Sequence, residues 1–280
     1  MPVHESAREA ILSFYEACGV TTHLSEAPID RFALAEAPPE TRELQAPINA
    51  VAADVFDDAP PADTVPAFFE DVDDDFPEDG GPVNDARSMA RAATTLDALH
   101  KAVASFEGCA LKATARRTVK GEGPLGAALM FVGEAPGAEE DESGRPFVGR
   151  SGKLLERMLA AIGLDRSDVY ITNVIAWRPP GNRTPSPVET ATCEAFVRRE
   201  IALVRPRILV PLGGPSAKTL LRNDVGITRQ RGRWTRYEDE DGLVLDAMAM
   251  FHPAYLLRTP AEKRRAWVDL LALKARLDQA

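Results

Sequence analysis

Four short apolar runs, at residues 127–132, 169–175, 208–212 and 244–251, each break off into a glycine-, proline- or polar-rich cluster. Runs of this length bounded by turn residues read as buried strands. The segments between them carry helical spacing. Residues 93–106 place Leu96, Leu99, Val103 and Phe106 on one face, and residues 151–162 open on a serine. A helix reaching about Val204 starts at Ser186, Pro187 and Glu189, which supply cap, first-turn proline and capping-box acid in order. A short helix follows Pro215, and a last one covers 261–277. Strands alternating with helices predict a three-layer α/β fold: a mostly parallel four-stranded central sheet with helices on both faces. In such sheets ligands bind at the carboxyl ends of the strands. The clusters GEAPGAEEDESGRPFVG, RPPGNRTP, GGPS and HPAYLLR are therefore expected to meet along one edge and line one cleft.

Charge divides the chain. The formal net charge of the 280 residues is −10, but residues 1–92 hold 20 acids against 5 arginines and no lysine, and the remainder holds 28 basic residues against 23 acids. A mildly basic body follows an acidic leader. From Ser25 to Gly81 the leader is an Ala/Pro/Asp/Glu tract that ends in EDVDDDFPEDGG, a composition that buries too little apolar surface to offset its ordering entropy. It is read as largely disordered over 1–92, with 93–280 as the folded domain. Within it, Ala7, Ile11, Phe14, Tyr15 and Cys18 recur at helical spacing over 5–18. A solvated extension and a helix that docks on the body or a partner both fit. No run of 18 apolar residues occurs, so no membrane span is expected. The N-terminus shows no secretory pattern, and three cysteines make no disulfide framework, so a cytoplasmic protein is expected.

Several cluster residues suit particular chemistry. Glu134, on the turn after the first run, could orient water or face a developing cation; the four acids at 139–142 also fit a solvated turn. Phe147, between glycines, could offer a flat face to a base or fill the core. The Asn173 amide pairs a donor with an acceptor, matching a pyrimidine edge, or it could satisfy a loop backbone. His252 could donate to an oxyanion. The segment Tyr255-Leu256-Leu257-Arg258 sets apolar residues beside a cation, as a wedge for DNA would. Gly213-Gly214-Pro215-Ser216, at a helix start, suits phosphate.

Together, GEAPG-x-EED-x-x-GRPFVG, VYITNV-x-x-x-RPPGNRTP, ILVPLGG and FHPAYLLR resemble the uracil-DNA glycosylase superfamily, most closely its family 4, over about residues 109–273. The resemblance implies a hydrolase that removes uracil from DNA and so starts base-excision repair. It implies that Glu134 assists water and the sugar cation, that Glu140 lies beside the uracil 5-position to exclude thymine, and that Phe147 stacks on the flipped base. Asn173 would read the uracil edge, His252 would stabilise charge on the uracil oxygen, and Leu256 would fill the emptied stack. Gly214, Ser216 and Arg258 would contact DNA. A glycosylase for another deaminated base, or a non-catalytic DNA-binding relative, are the competing readings. The expected partner is uracil-containing DNA bound by a monomer, with the acidic leader as a docking segment for another protein.

One departure concerns the cofactor. Family 4 carries a 4Fe-4S cluster on four cysteines, and here those positions are Phe106, Cys109, Trp177 and Cys193. Two ligands of four remain. The expectation is a cluster-free branch in which Phe106 and Trp177 fill the metal's volume. A cluster using Cys109, Cys193 and other ligands is the alternative; Cys18 is a poor substitute.

Overall fold

The computed structural model describes residues 81–279. Its elements in chain order are α1 (Pro82–Ala92), α2 (Leu96–Ser105), β1 (Leu129–Gly133), α3 (Ala138–Ser143), α4 (Arg150–Ala160), β2 (Tyr170–Asn173) and α5 (Pro187–Val204). They continue with β3 (Ile208–Pro211), α6 (Gly214–Leu221), α7 (Ile227–Gln230), β4 (Trp234–Glu238), β5 (Val244–Met248), α8 (Pro253–Arg258) and α9 (Lys263–Asp278). The sheet runs β2-β1-β3-β5-β4. The first four strands are parallel and β4 is antiparallel to β5. This is the expected α/β architecture with a fifth strand at one edge. β4 escapes sequence reading because only Tyr237 of Trp234–Glu238 is buried, so its apolar signal is that of a polar hairpin.

β1, β2 and β3 are buried along their whole length, and alternate residues of the parallel strands go to two cores. Met130, Val132, Leu209 and Ala247 pack with residues of α1, α2 and α5. Leu129, Phe131, Ile208, Val210 and Met248 pack with residues of α4, α8 and α9. The α5 start is as the sequence predicts: Ser186 Oγ accepts from Glu189 N at 3.2 Å and Glu189 Oε2 accepts from Ser186 N at 2.7 Å.

The boundary at 92/93 is corrected. α1 lies inside the segment expected to be leader, yet Ala86 and Ala90 are fully part of the core and the Ala93 carbonyl accepts from Arg199 of α5 at 2.8 Å. Its two buried alanines are four residues apart among charged and polar neighbours, too faint a stripe to stand out next to the acidic tract. The 5–18 segment and the rest of 1–80 lie outside the described residues.

Candidate active site

Gly133 and Asn173 end adjacent parallel strands and face each other in register. Next to them, the Gly213 N–H donates to the Met250 carbonyl at 2.8 Å, joining the β3 and β5 exits. The four strand ends thereby open into one cleft of about 570 Å³, lined among others by Glu134, Glu140, Phe147, Asn173, His252 and Arg258.

Missing side chains make the convergence feasible. A Cβ on Gly133 would stand 2.3 Å from Asn173 Oδ1 and 2.7 Å from Phe147 Cζ. A Cβ on Gly152, in α4, would stand 1.8 Å from the Phe147 carbonyl oxygen. Gly213 has φ +90°, and its Cβ would press on His252 at 3.2 Å. Glycine is thus demanded wherever the floor of the cleft is thinnest.

His252 is the N-cap of α8, and its Nδ1 accepts from Ala254 N at 3.1 Å. Burial, with the nearby Arg258 cation, pulls its pKa down to about 4. The ring is therefore neutral at pH 7, and because Nδ1 accepts, the proton sits on Nε2. No hydrogen bond to Nε2 is present among the described residues, so this N–H is free to serve a ligand. The Phe147 ring lies 5.4 Å from the His252 ring, centroid to centroid, tilted by 30°. Burial also raises the Glu134 pKa above its ordinary 4.5, and its carboxylate has no hydrogen-bond partner among the described residues. A carboxylate, a neutral N–H donor, an amide and an aromatic face thus share one cavity, suited to separating positive and negative charge around a flat heterocycle.

Glu140 is also in the cleft, but its carboxylate is committed. It accepts from Gly137 N at 3.1 Å and from Val148 N and Gly149 N, both at 2.9 Å. Gly214 and Arg258 line the opening, with Arg258 exposed. Two expected DNA contacts are corrected. Ser216 is 0% exposed and its hydroxyl donates to the Val132 carbonyl at 2.7 Å, tying α6 to β1. Leu256 is 1% exposed and belongs to the core under α8. The HPAYLLR segment is a helix rather than an extended loop, so its fourth residue from the cap turns inward. Tyr255 lines the cleft instead. Asn182, Arg183 and Thr184, within the RPPGNRTP motif, also line it. Their motif was legible, but their individual positions were not, because they sit on an irregular turn after Pro180.

The cysteine positions form a different environment. Cys109 and Cys193 are free and buried. The hydrogen bond from the Cys193 thiol lowers Cys109 to about 7, while giving that bond and burial push Cys193 up. Phe106 and Trp177 share their core cluster. Phe106 meets Phe196 edge-on at 5.2 Å, and Trp177 Nε1 donates to Thr118 Oγ1 at 3.1 Å. Two thiols and two packed rings do not fit a 4Fe-4S cluster, which needs four ligands. Among the described residues no group of three or more His, Cys, Asp or Glu side chains is placed to hold a metal ion. No described helix is long and apolar enough to cross a membrane.

Residues 120–271 match the family model of the uracil DNA glycosylase superfamily. The chain is 38% identical over 184 residues to a type-4 uracil-DNA glycosylase of Pyrobaculum aerophilum, covering 62% of this chain and 91% of that protein. It is 39% identical over 171 residues to the type-4 enzyme of Thermotoga maritima, covering 61% and 87%. For the type-4 enzyme of Archaeoglobus fulgidus the identity is 42% over 171 residues, covering 59% and 85%. With more than half its length matched, and the strand-end motifs gathered in one cleft, the chain belongs to the uracil DNA glycosylase superfamily.

Proposed function

We propose that this protein is a uracil-DNA glycosylase: it hydrolyses the N-glycosidic bond of deoxyuridine flipped out of DNA, and so initiates base-excision repair. The observation that carries this reading is the pairing of a buried carboxylate, Glu134, with a neutral N–H donor, His252 Nε2, in one cleft. Similarity to enzymes named type-4 uracil-DNA glycosylases supports it. When the bond from the sugar C1′ to uracil N1 breaks, its electron pair passes to the uracil ring, and the sugar becomes cationic. His252 Nε2–H donates to the uracil oxygen that gains negative charge, as a positioned neutral donor. Glu134 faces the sugar cation and orients the water, whose hydroxyl joins C1′ while its proton leaves by way of the carboxylate. Asn173 reads the uracil edge and Phe147 stacks on its face. Because the Glu140 carboxylate is held by three backbone amides, it excludes a 5-methyl group by bulk.

The target must leave the helix before reaction, at a cost of a few kcal/mol that stacking and phosphate contacts offset. Gly214 and Arg258 supply contacts at the cleft mouth. The protein acts as a monomer in the cytoplasm without an iron-sulfur cluster, and the acidic segment 1–80 docks a protein partner. Incubation with a uracil-containing oligonucleotide, followed by alkaline cleavage of abasic sites, tests the central reading. A shortened strand is expected with uracil and none with hypoxanthine or xanthine. Release of a purine but not uracil would make the protein a glycosylase of another base, and binding without any strand break a non-catalytic relative.

A further inference from the structure

Phe147 holds φ +50°, in the left-handed region. For a residue with a Cβ this region costs about 1–2 kcal/mol, so the surroundings must hold it there. Two side chains of opposite charge grip the backbone on either side. Arg166, in the turn before β2, donates from Nη1 to the Phe147 carbonyl at 2.8 Å and from Nη2 to the Pro146 carbonyl. Glu140 accepts the next two N–H groups, those of Val148 and Gly149. Arg166 is in turn anchored: its Nε donates to Glu122 Oε1 at 2.6 Å and its Nη1 meets Glu156 at 3.2 Å. Four successive residues, 146–149, are thereby fixed by one guanidinium and one carboxylate.

We infer that Arg166 is a positioning residue for the base-stacking platform: through the Pro146 and Phe147 carbonyls it sets the height and tilt of the Phe147 ring in the cleft. The inference rests on the reading of Phe147 as the ring that stacks on the extruded base. Arg166 does not line the cleft and touches no reacting atom. The planar guanidinium suits the task, because its fork reaches two carbonyls and a carboxylate at once, whereas an ammonium offers a single point of charge. Gly152 closes the arrangement from below, since any side chain there would collide with the carbonyl that Arg166 holds.

The test compares Arg166→Ala, Arg166→Lys, Phe147→Ala and the Arg166→Ala/Phe147→Ala double variant of the full chain. Single-turnover uracil excision is measured for each, alongside hydrogen exchange of the Val148 and Gly149 amides. Arg166→Ala is expected to slow excision about 10- to 100-fold, as displacement of a positioned group by up to 1 Å does, and to speed exchange at 148 and 149 while β1 and β2 keep their protection. Arg166→Lys should recover part of the loss. In the Phe147→Ala background, Arg166→Ala should cause no further loss, because the two act as a unit. Unchanged exchange at 148 and 149, or an equal loss in the presence and absence of the Phe147 ring, overturns the inference. If Arg166→Ala does not fold, Arg166→Lys and Glu122→Gln carry the same two readouts. If Phe147→Ala excises uracil normally, the stacking reading fails by itself, and the exchange measurement still decides whether Arg166 holds the loop.

Discussion

Two regions beyond the end of β2 have met opposite demands. Where β2 meets the ends of its neighbours, polar groups are kept short of partners: the Glu134 carboxylate after β1 and His252 Nε2 after β5 have none among the described residues, and Asn173, at the end of β2, opens into the cleft. Four residues further on, Trp177 and its neighbours Phe106, Cys109 and Cys193 are packed, and the one polar atom of the indole has its hydrogen bond. The first region stores unmet hydrogen-bonding capacity for a ligand; the second spends its volume on apolar contact. Where a metal cluster would draw folding free energy from its ligands, apolar packing draws it from burial.

The contrast predicts separable effects. The largest is Trp177→Ala, which removes a ring that is 1% exposed and should cost about 3–5 kcal/mol of stability. Denaturant unfolding would show this as a lower midpoint, while kcat below the transition stays near that of the parent. A comparable loss of kcat would mean that the packed region also serves the chemistry. Next, His252→Ala and Asn173→Ala should each lower kcat by about 10²–10³-fold; His252→Ala also gives up the α8 cap, about 1 kcal/mol of stability, and a drop in Tm beyond that in either variant would show a further structural role. A smaller effect separates two truncations. Removing residues 81–92 in addition to 1–80 takes away α1 and the burial of the two alanine methyls, on the order of 2 kcal/mol. Equal melting temperatures for the two truncated proteins would restore the boundary at 92/93.

The last effect is in pH dependence. His252 has a pKa near 4 in the fold against 6.5 when unperturbed, so the unfolded chain binds the proton more readily. Its contribution to stability is complete above 6.5 and declines as pH falls from there toward 4. The acid limb of kcat/KM should instead follow Glu134, whose raised pKa places it above 4.5. A limb near 6.5 that disappears in His252→Gln would show that His252 does titrate there.

The sheet and the cleft were legible because buried parallel strands are almost continuously apolar and their ends are punctuated by glycine and proline. Glu134, Phe147, Asn173 and His252 follow from such punctuation, and the structure brings all four together. Ser216 and Leu256 were misplaced for one reason: a motif fixes where a residue is along the chain, whereas the helical turn decides whether it faces in or out. Arg166 was invisible because its work depends on two backbone carbonyls twenty residues away, and carbonyls leave no mark in a sequence. β4 and α1 were missed because each contributes so few buried side chains that their periodicity falls below that of ordinary surface.

The neutrality of His252 has a consequence for how the enzyme responds to ionic strength. A donor that carries no net charge is barely affected by mobile ions, whereas attraction of a cationic surface to the phosphate chain weakens steeply as salt displaces the counterion advantage. Salt should therefore raise KM through Arg258 and the basic surface while leaving the bond-breaking step almost unmoved. The protein would lose its grip on DNA in brine long before it lost its chemistry.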